Sequence, residues 1–379
     1  MNKENHMFAG VELASEIQTA IGGMGFVKAT PVQEKTIPEM MNGMDLIVQA
    51  PTGTGKTGAF GIPVVQMTEP RDKWAQTLIL SPTRELAIQT AKVLQKLAQY
   101  KRGVSIATLY GGESIYRQFD ALRRRPQIIV ATPGRLIDHI ERRSVNLSTV
   151  KTVVLDEADR MLDMGFKDDL NYILNAVPAK RQTVLFSATI SKGIMEIAKS
   201  YQQAAKHIVI KQDTMTVKSV QQFYTTVNSG AKKGELLALL KENEHALCLV
   251  FVNTKRMADT LCDELKRQAY RVDALHGDIN QQKRERIMNS FRAGGLDILV
   301  ATDVAARGID VGNIDLVVNY DLPLDSDCYV HRIGRTGRAN KTGVAHTFVY
   351  RQEVGMLNMI MRDTKAPIQR TSPALVAAV

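Results

Sequence analysis

The stretch DLIVQAPTGTGKTGAF, residues 45–60, decides how the rest of the chain is read. A short apolar run, Leu46-Ile47-Val48, stops at a glycine-bearing turn, and a helical pattern begins at Lys56. Gly53 and Gly55 allow backbone to wrap phosphates closely, Lys56 can reach β/γ phosphates, and Thr57 can ligate magnesium. Ala50 stands where this motif usually has its first glycine, so the strand–turn–helix context carries the reading. Such a unit predicts an α/β fold whose ligands lie beyond the carboxyl ends of parallel strands.

Working outward, short apolar runs recur at 45–49, 77–80, 105–109, 127–131, 152–156 and 183–186. Amphipathic stretches such as RELAIQTAKVLQKLAQY separate them. A second series begins near Val220, with runs at 246–252, 271–275, 297–301, 315–319 and 344–349. Strand–helix alternation of this kind predicts parallel sheets covered by helices on both faces. At 379 residues the chain exceeds one ordinary core, and two similar domains are expected, 1–210 and 220–379, joined by a linker at 211–219.

Several runs end in a short polar turn that opens a helix: LSPTREL, ATPGRL, FVNTKRM and ATDVAARG. Helix N-termini there offer unpaired N–H groups to anions. Thr83, Thr132 and Thr254 can each cap such a helix, and singly that role is sufficient. Their repetition in both halves points to an extended polyphosphate. The net charge of +10 suits such a partner, although it equally suits a solvated basic surface. Cys248, Cys262 and Cys328 lack metal or disulfide spacing, which fits a reducing compartment. Glu4 and Glu12 interrupt any apolar leader, and no run approaches the roughly 18 apolar residues of a membrane span. A soluble, cytoplasmic protein is expected.

In KTVVLDEADRML, residues 151–162, a buried-type run feeds three carboxylates, Asp156, Glu157 and Asp159. Asp156 stands where a P-loop enzyme places a magnesium-side carboxylate, and Glu157 where a general base would orient or deprotonate water. A helix N-terminus stocked with acids is the plainer alternative. In HRIGRTGR, residues 331–338, Arg332, Arg335 and Arg338 are spaced by three and interleaved with glycine, suiting close approach to a phosphoryl group. A basic surface patch is the plainer reading there too. The runs 123–125 and 142–143 read as solvated charge, and Trp74 as a surface or packing residue.

Together these elements resemble the DEAD-box RNA helicases of helicase superfamily 2, and the resemblance spans nearly the whole chain. Phe8, Gly25-Phe26 and Thr30-Pro31-Val32-Gln33 look like its upstream aromatic and Q motif, and APTGTGKT like motif I. Residues 82–87 look like motif Ia, Gly111-Gly112 like the GG motif, 132–135 like motif Ib, DEAD like motif II and Ser187-Ala188-Thr189 like motif III. Residues 250–254, 281–284, 301–310 and 331–338 resemble motifs IV, QxxR, V and VI.

The resemblance implies two RecA-like domains that close on ATP, Mg2+ and a single RNA strand, in a monomer without membrane contact. It assigns nucleotide contacts to Phe8, Gln33, Thr52, Gly53, Thr54, Gly55, Lys56, Thr57, Gly308 and Asp310. Gln33 would read adenine through N6 and N7. Catalysis falls to Lys56, Asp156, Glu157, Arg335 and Arg338, with metal contacts from Thr57 and Asp156, partly through water. Coupling falls to Asp159, Ser187, Thr189 and His331. RNA contacts fall to Arg84, Gly112, Thr132, Arg135, Thr254 and Thr302. The implied activity is RNA-stimulated ATP hydrolysis driving local, non-processive unwinding. An RNA clamp that places partners, or a DNA helicase of the same superfamily, would use much the same motifs.

Overall fold

The computed structural model describes residues 11–371 except 27, 52, 211–219, 229, 244–245, 307–313 and 338–341. Phe8, Thr52, Gly308, Asp310, Arg338 and the expected linker therefore lie outside the described residues. The chain forms two compact units, Met1–Gln212 and Asp213–Val379.

The first unit holds strands β1 (Leu46–Gln49), β2 (Thr77–Leu80), β3 (Ile106–Leu109), β4 (Ile128–Ala131), β5 (Thr152–Leu155), β6 (Gln182–Ser187) and β7 (Lys206–Val209). They pair in the order β3-β4-β2-β5-β6-β1-β7, every pair parallel. The second unit holds β8 (Val220–Val227), β9 (Cys248–Val252), β10 (Val272–Leu275), β11 (Ile298–Thr302), β12 (Leu316–Asn319), β13 (Gly343–Tyr350) and β14 (Ile368–Arg370). Its order, β10-β11-β9-β12-β13-β8-β14, repeats that of the first sheet rank for rank.

Both faces of each sheet are buried, which explains continuous apolar runs in place of alternating ones. Along β5, Val154 enters one core while Val153 and Leu155 enter the other. Along β9, Leu249 and Phe251 face one core and Val250 and Val252 the other. Each such fully buried apolar side chain contributes about 2 kcal/mol relative to exposure.

Three strands escape the sequence pattern. β7 and β14 are short outer strands with mostly exposed side chains, so neither carries an apolar run. β8 begins Val-Gln-Gln and alternates burial, and its glutamines mask it. The three cysteines are free and buried.

Candidate active site and RNA face

Parallel register brings the strand ends of the first sheet to one edge. Gln49 on β1 pairs with Ser187 on β6, Leu155 on β5 with Leu80 on β2, and Leu80 with Ala131 on β4. The order of turns along that edge is therefore GG, Thr132, Arg84, DEAD, Ser187–Thr189, and the glycine loop. Sheet order alone groups the expected RNA residues on one side and the expected nucleotide residues on the other.

At the glycine loop, Gly53 and Gly55 adopt φ of 80° and 90°, a left-handed conformation that glycine adopts freely. Lys56 opens the helix Lys56–Met67 and is buried, its Nζ donating to the Ala50 carbonyl at 2.9 Å. Thr54 Oγ1 donates to Pro51 O at 2.9 Å. Gln33 lies against this loop. Its Oε1 accepts from the Thr30 amide at 3.0 Å and its Nε2 donates to Gly55 O at 3.2 Å. An amide has two N–H groups and two lone pairs, so these two bonds use one of each.

Asp156 follows β5 and is buried. Burial, then the neighbouring Glu157 carboxylate, pushes its pKa up to about 7, with Lys56 opposing. A carboxylate so placed suits a cation, and with the hydroxyl of Thr57, the second residue of the helix Lys56–Met67, it makes a donor set that fits magnesium. Glu157 takes φ 49° at the start of the helix Ala158–Asp163. A non-glycine residue there costs roughly 1–2 kcal/mol, strain of the kind that clusters at functional sites.

Asp159 does something different from its two neighbours. Its Oδ2 accepts from the amides of Ala188 at 3.0 Å and Thr189 at 2.9 Å, and from Thr189 Oγ1 at 3.2 Å. Ser187 Oγ in turn donates to Thr189 O at 2.6 Å.

On the other side of the edge, Thr83 caps the helix Arg84–Ala98, accepting from Leu86 N at 3.3 Å. Thr132 begins Pro133–Glu141 without a side-chain cap bond, so capping does not account for it. The Arg84 guanidinium lies against Gly111 and Gly112. A Cβ on Gly112 would sit 2.0 Å from Arg84 Nη1. Arg135 donates through both terminal nitrogens to Glu113 O at 3.3 Å.

In the second unit, Thr302 pairs with Val252, which brings Thr302 beside the turn carrying Thr254. Thr254 caps its helix, accepting from Met257 N at 3.1 Å. Arg335 is buried and donates through Nε to His331 O at 3.3 Å. Arg332, grouped with it by sequence, is turned inward and only 1% exposed. Asp303 holds it bidentately at 2.7 Å and 2.7 Å, Asn253 Oδ1 at 2.8 Å and Asp321 O at 2.6 Å. Such saturation makes Arg332 an anchor joining the ends of β9, β11 and β12. Asn253, Asp303 and Gln118 went unnoticed in sequence. Gln118 had one signal: it occupies an inward position of the stripe Ile115, Phe119 and Leu122.

The runs at 123–125 and 142–143 are partly paired. Arg123 meets Asp120 at 2.9 Å, Arg142 meets Asp138 at 2.5 Å, and Arg125 lies 4.8 Å over the half-exposed Trp74 ring. Among the described residues no helix is long and apolar enough to cross a membrane.

A glycine loop and a strand-end carboxylate pair on one side of a sheet edge, with polar turns along its other side, are the arrangement of an ATP-hydrolysing helicase. The DEAD/DEAH box helicase family model matches residues 30–197, and that of the helicase conserved C-terminal domain matches residues 231–340. The chain belongs to the DEAD-box ATP-dependent RNA helicases. It is 47% identical over 366 residues to DEAD-box ATP-dependent RNA helicase CshA of Geobacillus kaustophilus, covering 97% of this chain and 78% of that one. The Bacillus subtilis CshA is 47% identical over 363 residues, covering 96% and 73%. Among solved structures, Saccharomyces cerevisiae Dbp5 bound to RNA and ADP BeF3 superposes with a TM-score of 0.84 at 32% identity, covering 95% of this chain and 94% of that one. Mss116p bound to ssRNA and AMP-PNP gives 0.84 at 30% identity, covering 94% and 77%.

Proposed function

We propose that this helicase opens short RNA duplexes locally and non-processively, as a cytoplasmic monomer, by making ATP hydrolysis depend on RNA. Asp159 supports this reading best. Its carboxylate ties the DEAD turn to Ala188 and Thr189 by three hydrogen bonds, a direct link between the hydrolytic carboxylates and the Ser187–Thr189 turn. Lys56 holds the β/γ phosphates, and Gln33 offers its remaining N–H and lone pair to adenine N7 and N6. Thr57 and Asp156 would hold a magnesium ion, which when bound supplies charge neutralisation to the phosphates. Glu157 orients the attacking water and takes its proton.

Arg84, Gly112, Thr132, Arg135, Thr254 and Thr302 hold RNA backbone without reading bases. The carboxylates belong to the first unit and the arginines Arg335 and Arg338 to the second. Full catalysis therefore awaits closure, which ATP and RNA favour reciprocally. Phe8, Gly308, Asp310 and His331 complete the nucleotide and coupling contacts in this reading, as do Thr52 and Thr54.

ATP turnover should be slow in purified protein and rise steeply with single-stranded RNA. A fast rate indifferent to RNA would overturn the proposal. Duplex separation measured beside the lifetime of the ATP-bound RNA complex separates opening from clamping.

A further inference from the structure

Gln118 belongs to the helix Ile115–Arg123 and is 2% exposed. Its Nε2 donates to Tyr110 O at 2.9 Å and Glu113 Oε2 at 3.3 Å. That fixes Oε1 as an acceptor, and it receives Arg135 Nη1 at 3.3 Å and His139 Nε2 at 3.0 Å. His139 then carries its proton on Nε2, and its Nδ1 meets the Ser144 hydroxyl at 2.8 Å. Burial, and next the charge of Arg135, lower the His139 pKa, which keeps the ring neutral in this role.

All four hydrogen-bonding positions of the Gln118 amide are thus filled. Their partners come from the GG turn on one side and the helix Pro133–Glu141 on the other. A residue serving only to fill space would not need four directed partners on two separate segments. A fully satisfied buried polar network instead fixes a unique spacing between the segments it joins.

We propose that Gln118 is a positioning residue for RNA binding. Its buried amide holds the GG turn and the Arg135 guanidinium at the separation that RNA backbone requires. The proposal rests on the reading that Gly112 and Arg135 contact RNA. Gln118 itself touches no RNA; it acts through Arg135 and through the turn that carries Gly112.

The test is a double-mutant cycle on the full chain, read as the RNA concentration giving half-maximal ATPase. Gln118→Met keeps the shape and removes both the acceptor shared by Arg135 and His139 and the donor to Tyr110 and Glu113. Of the four bonds lost, those whose effect reaches RNA through Arg135 and the GG turn should raise that concentration about tenfold, the worth of one or two hydrogen bonds. The ATP concentration giving half-maximal rate should stay within about twofold. In an Arg135→Ala background the same substitution should have a markedly smaller effect. Gln118→Asn, which withdraws the amide by one methylene, serves if Gln118→Met does not fold, and should show the same coupling at smaller size.

Unchanged RNA dependence in a folded Gln118 variant would overturn the inference. So would an equal loss with and without Arg135, which marks a general structural effect. If Arg135→Ala alone leaves RNA binding intact, the reading of Arg135 fails first, and the cycle shows which of the two is wrong.

Discussion

In the first unit, Lys56 opens the helix that follows β1; in the second, Lys232 opens the helix that follows β8, the strand of equal rank. Asp156 follows β5, and Asp321 follows β12, again of equal rank. The outcomes differ. Lys56 donates to the Ala50 carbonyl at the glycine loop, and Asp156 lies buried at the end of β5. Lys232 closes directly on Asp321 at 3.2 Å and lies 4.0 Å over the Tyr350 ring, at the end of the intervening strand. The second unit thus pairs a lysine with a carboxylate at the ranks where, in the proposed reading, the first holds phosphate and metal. The other side of the edge is treated alike in both. Thr83 and Thr254 cap helices after the second-rank strands, and Thr132 and Thr302 stand at the ends of the fourth. One fold therefore repeats its threonine-bearing strand ends and diverges at the ends that carry Lys56 and Asp156 in the first unit and Lys232 and Asp321 in the second.

The largest test of this division lies in Arg335 of the second unit. Arg335→Ala should lower RNA-stimulated turnover about 10³-fold or more, in the range of an arginine finger. Binding of a fluorescent ATP analogue should remain largely intact, since Lys56 and Gln33 are untouched. Strong loss of that binding would place Arg335 in ground-state recognition. Glu157→Gln should slow hydrolysis by about 10²–10⁴-fold while ATP and RNA stay bound together. Single-turnover kinetics with retained hydrolysis would remove Glu157 as the base.

Much of this arrangement was legible in sequence because it is local. The glycine loop, the DEAD turn and the threonine-bearing strand ends each occupy a few consecutive residues after an apolar run. What stayed hidden depends on residues far apart. Lys232 meets a carboxylate 89 positions away, and Arg332 finds Asn253 79 positions away. Nothing in the spacing of Arg332, Arg335 and Arg338 distinguishes the buried anchor from its neighbours. Asp159 was separable from Asp156 and Glu157 only through family resemblance, since its partners are backbone amides 29 and 30 residues on.

A smaller effect separates the two lysines. Lys232→Ala leaves Asp321 without its cation and strips packing from Tyr350, and should cost the second unit about 2 kcal/mol. Lys56→Ala should abolish ATP turnover yet destabilise its unit less, because Asp156, already drawn up to about 7, can take a proton. Hydrogen exchange read separately on β8 with β13 and on β1 with β6 reports each unit by itself. Equal losses would mean that Lys56 is as much a structural cation as Lys232.

The smallest effect concerns pH. His346 on β13 meets Thr225 Oγ1 through Nε2 at 2.9 Å, and that hydroxyl donates to Thr371 O at 2.6 Å. The hydroxyl proton being committed, the imidazole must donate from Nε2, and burial pushes its pKa down to about 4. A depressed histidine means that the unfolded chain binds the proton more readily. Stability is then complete above the unfolded value near 6.5 and is lost as pH falls towards 4. Between pH 7 and 5.5 the second unit should lose about 1 kcal/mol by this route. In the first unit the same change eases Asp156, whose raised pKa makes ionisation the costly state, while it burdens His139, so the two oppose one another. Exchange on β13 should therefore quicken with acid more than exchange on β5, and His346→Asn should flatten that slope. A slope that survives the substitution assigns the acid sensitivity to another group.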